Sequence, residues 1–271
     1  MRDLDVELSV VIPVYRNADT LRALYWRLRM VLDSLERSWE VVFVNDASPD
    51  GSGKVLGELV ALDPRVIALE LPRNFGQGRA TWVGLRKARG RFTVVMDADL
   101  QDPPEAIPAL LEAMEREEGR VAVVFGGRRG WYEGILRLAT GFVFRGLLAV
   151  VCGVPYDAGA FCLMSTEARE QLLCWNVPRP HIPTLVGCSR LRSKSVPVFR
   201  HRRPSGSSAY GSWTRWRLGL GLLWQAVRLR LNPVSYRGEP DLPEPVVIRS
   251  GNRAAGASGR ASCDGKSNRD A

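Results

Sequence analysis

Asp97, Asp99 and Gln101 occupy alternate positions in the run Asp97-Ala98-Asp99-Leu100-Gln101-Asp102-Pro103-Pro104-Glu105. Alternate side chains point the same way as a chain leaves a strand, so this spacing gathers two carboxylates and an amide oxygen on one side. Such hard donors suit Mg²⁺ or Mn²⁺, which take one or two carboxylates and complete the octahedron with waters and substrate phosphate. A site with so few protein ligands calls for a diphosphate. The same run also reads as a helix start, with Asp102 as N-cap, prolines at the first positions and Glu105 near the positive end of the helix dipole. Capping does not require Asp97 and Asp99, so the two readings coexist.

Those side chains need a sheet to hold them. Residues 8–15 form an almost continuous apolar, β-branched run, as expected for a strand buried on both faces. Asn17 and Asp19 can cap a helix marked by Leu21, Leu24, Leu28, Val31, Leu32 and Leu35 at helical spacing. The pattern then predicts a strand over Glu40 to Asn45, a turn through Asp46 to Ser52, and a helix over about 53–62. A strand over Val66 to Leu71, a helix over about 76–89 and a strand over Arg91 to Met96 follow. This alternation predicts an α/β fold with a doubly wound, mostly parallel sheet. Its ligand belongs beyond the carboxyl ends of the strands, near Tyr15, Asp46, Arg73 and Asp97 to Gln101.

Further along, a helix is predicted over about 104–117, a strand over Val121 to Phe125 and a helix over Ile135 to Val151. Short strands are expected at Phe161 to Met164 and Ser195 to Phe199. Ser212 to Leu231 carries Trp213, Trp216, Leu220, Leu223, Trp224, Val227 and Leu231 as an apolar stripe, with arginines at both ends. Residues 1–211 are therefore expected to form the main domain, 212–232 an amphipathic membrane-surface helix, and 233–271 a largely disordered extension.

Charge is unevenly distributed. Between Glu170 and Glu239 there is no acidic residue and there are 12 basic ones, which leaves 26 basic against 29 acidic residues elsewhere. A cationic surface of this kind suits polyanions: nucleic acid, anionic lipid or a phosphorylated substrate. Nucleic acid is set aside because it leaves the 97–105 cluster unexplained. The five cysteines are an odd number without C-x-x-C spacing, which argues against a disulfide framework and a zinc ribbon. Leu218 to Val227, among the longest apolar runs, is shorter than the roughly 18 residues a spanning helix needs. The acidic N-terminus lacks a signal peptide's basic region. A cytoplasmic chain, peripheral at the inner face of the cell membrane, is the expectation.

Four blocks in order resemble the family 2 glycosyltransferases of the GT-A fold: Val10-Val-Ile-Pro-Val-Tyr15, Val44-Asn-Asp-Ala-Ser-Pro-Asp-Gly-Ser52, Arg73-Asn-Phe-Gly76 and Asp97 to Glu105. The chain is most similar to the polyprenyl-phosphate branch, over about residues 8–231. The resemblance implies that Pro13 and Tyr15 flank a nucleotide, that Asp46 accepts a base N–H, and that Arg73 lies near the nucleotide phosphates. It implies Asp97, Asp99 and Gln101 as holders of the cation. Arg128 and Arg129 would face the transferred phosphates. Arg203, Ser208 and Tyr210 fit an R-x-x-G-x-S-x-Y loop over the acceptor. The chain departs from the branch at Ala160, where an acid is common, at Cys162, where Arg is common, and at Ala209, where Lys is usual.

The implied reaction moves a sugar, with inversion, from a nucleoside-diphosphate sugar to a polyprenyl phosphate. A phosphate monoester, with a second pKa of about 6, is already anionic at neutral pH. It needs no general base, in keeping with a chain whose two histidines are His181 and His201. The alternative is a family 2 enzyme acting on a soluble, non-lipid acceptor. The expected partners are the nucleotide sugar, the polyprenyl phosphate, an anionic membrane surface and a membrane-protein partner.

Overall fold

The computed structural model describes residues 6–129, 146–147, 149–200, 212–232, 234–238 and 242–248. Its centre is a set of parallel strands: β1 (Leu8–Val14), β2 (Trp39–Asn45), β3 (Val66–Glu70) and β4 (Phe92–Val95). Every residue of β1 and β2 is buried. Such strands must be apolar on both faces, which is why they read as unbroken runs. The crossovers are α1 (Ala18–Ser34), α2 (Ser52–Leu62) and α3 (Gln77–Lys87). A 3₁₀ turn at Pro104–Ala106 leads into α4 (Ile107–Glu115).

The remaining strands are β5 (Val123–Arg129), β6 (Cys162–Ser165), β7 (Ser193–Phe199) and β8 (Val246–Ile248), with helices α5 (Thr166–Leu173), α6 (Ile182–Cys188) and α7 (Ser212–Leu231). They complete an eight-stranded sheet in the order β7-β5-β6-β4-β1-β2-β3-β8. β6 runs antiparallel to both neighbours and β8 antiparallel to β3, while β5 and β7 are parallel. The fold is α/β with a mostly parallel central sheet, as expected.

Helices cover both faces. Leu21, Leu28, Leu56 and Leu110 of α1, α2 and α4 pack on one side. Trp82, Leu172, Leu185 and Leu229 of α3, α5, α6 and α7 pack on the other. Burying each such leucine contributes about 1.5–3 kcal/mol. Because α1 and α2 lie on one face and α3 on the other, the chain order reverses between β1 and β4. That reversal opens a crevice at their carboxyl ends.

Two local differences from the sequence reading have physical reasons. β5 continues past Phe125 to Arg129, although Gly126 and Gly127 weaken a strand. A β carbon on Gly126 would meet the Phe161 ring at 2.4 Å, and one on Gly127 would meet Ser195 Oγ at 2.2 Å. The glycines admit close neighbours rather than end the strand. Val246–Ile248, inside the segment expected to be a largely disordered extension, adds a strand to the exposed edge of β3. On α7, Ala226 and Leu229 are buried, whereas Trp224, Val227 and Leu231 of the expected apolar stripe are exposed. Of the helix expected over Ile135 to Val151, residues 146, 147 and 149–151 are helical; 130–145, 148 and 249–271 lie outside the described residues. No helix among the described residues is long and apolar enough to cross a membrane.

Candidate functional site

The crevice is walled first by the segments after β1 and β2. Pro13 is buried within β1, and Tyr15 emerges at its end, 38% exposed. Arg16 stands 5.5 Å from the Tyr15 ring. Asn17 does not cap α1 with its side chain. Its Oδ1 instead accepts the Tyr15 N–H at 3.1 Å, bracing the turn. Asp50 ties the two segments together: it accepts the N–H groups of Ala18 at 3.1 Å and Ser52 at 3.0 Å and the Ser48 hydroxyl at 2.6 Å. Burial alone would raise its pKa, but these donors outweigh it and hold the carboxyl at about 2.

Asp46 follows β2 directly and is buried. Its oxygens accept the backbone N–H groups of Phe75 at 2.7 Å and Gly76 at 2.8 Å. Burial pushes its pKa up, and those two N–H donors pull against it. The carboxylate thus anchors the Arg73 to Gly76 loop, and each oxygen retains a second lone pair. Gly76 has φ +88°, a left-handed conformation that favours glycine. Arg73 is exposed, with its guanidinium 4.9 Å from the Phe75 ring.

The second wall is the acidic turn after β4. Asp97 Oδ1 accepts from Gln77 Nε2 at 2.5 Å, and Asp97 Oδ2 lies 3.8 Å from Arg200 Nη2. Asp99 is 8% exposed and accepts the Gln101 N–H at 3.1 Å. Leu100 takes φ 61° to make this tight turn, and Thr20 of α1 donates to the Ala98 carbonyl at 2.7 Å. Asp97 and Asp99 both lie near the Arg200 guanidinium, and Gln101 meets Asp99 through its backbone N–H.

Asp102 is not an N-cap. Its Oδ1 accepts from Arg200 Nε at 2.6 Å, and Pro103 occupies the cap position. The carboxylate is buried, where a nearby cation matters more than a helix end. Burial disfavours the Arg200 charge, yet the carboxylates of Asp102, Asp97 and Asp99 hold its pKa above the ordinary value. Glu105, near the helix start as expected, forms a fork with Arg27 at 2.9 and 2.6 Å.

Among the described residues no group of three or more His, Cys, Asp or Glu side chains converges as a metal cage. An open turn bearing Asp97 and Asp99 instead fits a hard divalent ion that shares its coordination with a diphosphate and water.

Arg128 and Arg129 end β5, paired in register with Val198 and Phe199 of β7, just before Arg200. Arg203, Ser208, Tyr210 and His201 lie outside the described residues, as do Ala209 and the rest of 201–211. His181 stands at the start of α6, its Nδ1 2.9 Å from Thr184 Oγ1. Cys162 is buried in β6 between Val95 and Phe125, and burial, with the Asp102 charge, pushes its thiol pKa up.

Gln77, Arg200 and Asp157 escaped the sequence reading. Asp157 is buried, and its Oδ2 lies 2.3 Å from where a Gly127 β carbon would sit. The Gly126-Gly127 pair was the available signal, since glycine inside a strand marks close approach. Nothing in the sequence near residue 200 points to Asp102.

Comparison with known proteins follows the same lines. Residues 9–196 match glycosyl transferase family 2. The chain is 33% identical over 207 residues to the glycosyltransferase YkcC of Bacillus subtilis, covering 76% of this chain and 64% of that protein. It is 31% identical over 217 residues to an undecaprenyl-phosphate 4-deoxy-4-formamido-L-arabinose transferase of Aeromonas hydrophila, covering 78% of this chain and 65% of the relative. It therefore spans less than two thirds of the length of either relative. The fold matches glucosyl-3-phosphoglycerate synthase from Mycobacterium tuberculosis, solved with Mn²⁺, UDP and phosphoglyceric acid. That match has a TM-score of 0.61 at 19% identity, covering 88% of this chain and 80% of the other. With the matched region taking in β1 to β6 and both walls of the crevice, the chain belongs to glycosyl transferase family 2.

Proposed function

We propose that the protein transfers a sugar from a nucleoside-diphosphate sugar to a polyprenyl phosphate, with inversion at the anomeric carbon and with Mg²⁺ or Mn²⁺ as cofactor. The observation that carries this reading is the meeting of two walls at the β1/β4 crevice. One is the Asp46-anchored 73–76 loop, the other is the Asp97–Gln101 turn, and Gln77, next to the loop, donates across to Asp97. Tyr15, Arg73 and Asp46 serve the nucleotide, with Pro13 shaping the β1 end beneath Tyr15. Asp97, Asp99 and Gln101 would hold the cation. When bound, it supplies positive charge that offsets the charge on the departing diphosphate.

The acceptor phosphate oxygen forms the new bond to the anomeric carbon from the side opposite the departing diphosphate. Arg128 and Arg129 would face the transferred phosphates, and Arg203 would offer a bidentate fork to the acceptor phosphate. Ser208 and Tyr210 belong to the acceptor loop. No side-chain base is required, because the nucleophile is already ionised.

The acceptor class is supported by likeness to the undecaprenyl-phosphate transferase and by the outer face of α7. Trp224, Val227 and Leu231 are exposed there, at helical spacing, with Arg228 stacked 3.5 Å from the Trp224 ring. Leu147 and Val150 are also exposed. An apolar face rimmed by arginine suits the interface of an anionic leaflet, where each basic residue contributes about 1 kcal/mol. These features support a peripheral enzyme at the inner face of the cell membrane, alone or beside a membrane-protein partner.

The test is a screen of nucleotide sugars with Mn²⁺ or Mg²⁺, with and without undecaprenyl phosphate, following release of nucleoside diphosphate. Release that depends on the lipid phosphate supports the reading. Release only with soluble acceptors overturns it in favour of a soluble, non-lipid acceptor.

A further inference from the structure

Arg200 lies one residue beyond β7, yet its side chain is only 7% exposed. Its Nε donates to Asp102 Oδ1 at 2.6 Å, and its Nη2 stands 3.8 Å from Asp97 Oδ2. The other oxygen of Asp97 is held by Gln77 Nε2 of α3. Asp97 is therefore gripped from two sides by residues far apart in the chain. Among the described residues Asp102 Oδ2 is buried without a hydrogen-bond partner, and the Arg200 guanidinium on Oδ1 offsets the charge of a carboxylate at that depth.

Resting on the reading of this turn as a cation–diphosphate site, we infer that Arg200 is a positioning residue. It fixes Asp97, and with it the turn through Asp99, in the orientation that receives the cation, while touching neither the cation nor the nucleotide. A rival role is that of a plain counter-charge, and the two roles differ in sign. A counter-charge beside the carboxylates opposes a second cation, so its removal tightens metal binding. Removal of a positioning residue loosens it. Lys keeps the charge but lacks the planar fork that reaches two carboxylates at once.

The experiment uses the full chain. Binding of UDP and GDP is titrated calorimetrically across Mn²⁺ concentrations for wild type, Arg200→Gln and Arg200→Lys, with thermal melts in parallel to match folded fractions. Loss of the ion pair to Asp97, at 3.8 Å, predicts a rise of about fivefold in the Mn²⁺ needed for half-maximal binding in Arg200→Gln, and a smaller rise in Arg200→Lys. Because Arg200→Gln leaves Asp102 buried and unpaired, the double variant Arg200→Gln/Asp102→Asn is measured beside it. The double variant removes the buried pair together, still lacks the grip on Asp97, and keeps the raised requirement. A Mn²⁺ requirement equal to or below that of wild type in both glutamine variants overturns the inference while leaving the site reading intact. If wild type binds neither nucleotide in a Mn²⁺-dependent way, the reading of the site falls, and this inference with it.

Discussion

The carboxylate of Asp46 accepts the backbone N–H of Gly76 at 2.8 Å across 30 residues of chain. The turn after β2 and the loop before α3 are therefore one unit, and the second oxygen of Asp46, on Phe75, locks it further. Asp46→Ala leaves two backbone donors without their partner. It is expected to lower stability by about 3–6 kcal/mol, from two hydrogen bonds to a charged group, as read by urea denaturation. Nucleoside diphosphate binding weakens as well, by about 1.5–3 kcal/mol. An unchanged dissociation constant by calorimetry places the base elsewhere.

Asp99→Ala separates ligand binding from folding. The side chain accepts the Gln101 N–H within its own turn, and loss of that bond, near 1 kcal/mol, should lower the melting temperature by about 2–4 °C. Mn²⁺-dependent nucleotide binding and turnover are expected to disappear. Full activity in this variant, or in wild type with excess chelator, sinks the metal assignment.

Acid sensitivity has an identified contributor in Asp50. Its pKa is lowered from 3.8 to about 2, with burial opposing and the Ser48, Ser52 and Ala18 donors prevailing. A depressed folded-state pKa stabilises the protein above the unfolded value. That contribution is lost as pH falls from about 4 through about 2. Asp50→Asn should be less stable than wild type at pH 6, and the gap should shrink in acid. Equal gaps at pH 6 and pH 2.5 in chemical denaturation refute the assignment.

Gly127→Ala tests the crowding beneath the end of β5. The added carbon would lie 2.2 Å from Ser195 Oγ and 2.3 Å from Asp157 Oδ2. Overpacking of this kind costs about 1–3 kcal/mol, visible as a lower melting temperature. Gly127→Ala/Ser195→Ala should recover part of the loss, because it removes one of the two clashing oxygens. No recovery, or no loss in the single variant, contradicts the packing described here.

Much of the site was legible because its signals are local. The Asp97–Gln101 alternation, the β-branched run of residues 8–15 and the leucines of α1 report on neighbours within one element. Their partners in hydrogen bonding were not legible. Asn17 was a plausible cap, but its side chain turns back to Tyr15. Asp102 likewise looks like a cap when only its neighbours count, and a guanidinium 98 residues away claims it instead.

The sequence by itself determined the family, the order of strands and helices from β1 to β5, and the identity of the carboxylates at the carboxyl edge of the sheet. Periodicity and short motifs encode those properties within a dozen residues or so. Tertiary structure alone decided that Arg200 meets Asp102, that Asp46 spends its oxygens on Phe75 and Gly76, and that Trp224 rather than Ala226 faces outward. Each of these depends on the register and packing of elements distant in the chain. A one-residue shift in a strand or a rotation of a helix exchanges the buried and exposed sets without altering any local pattern.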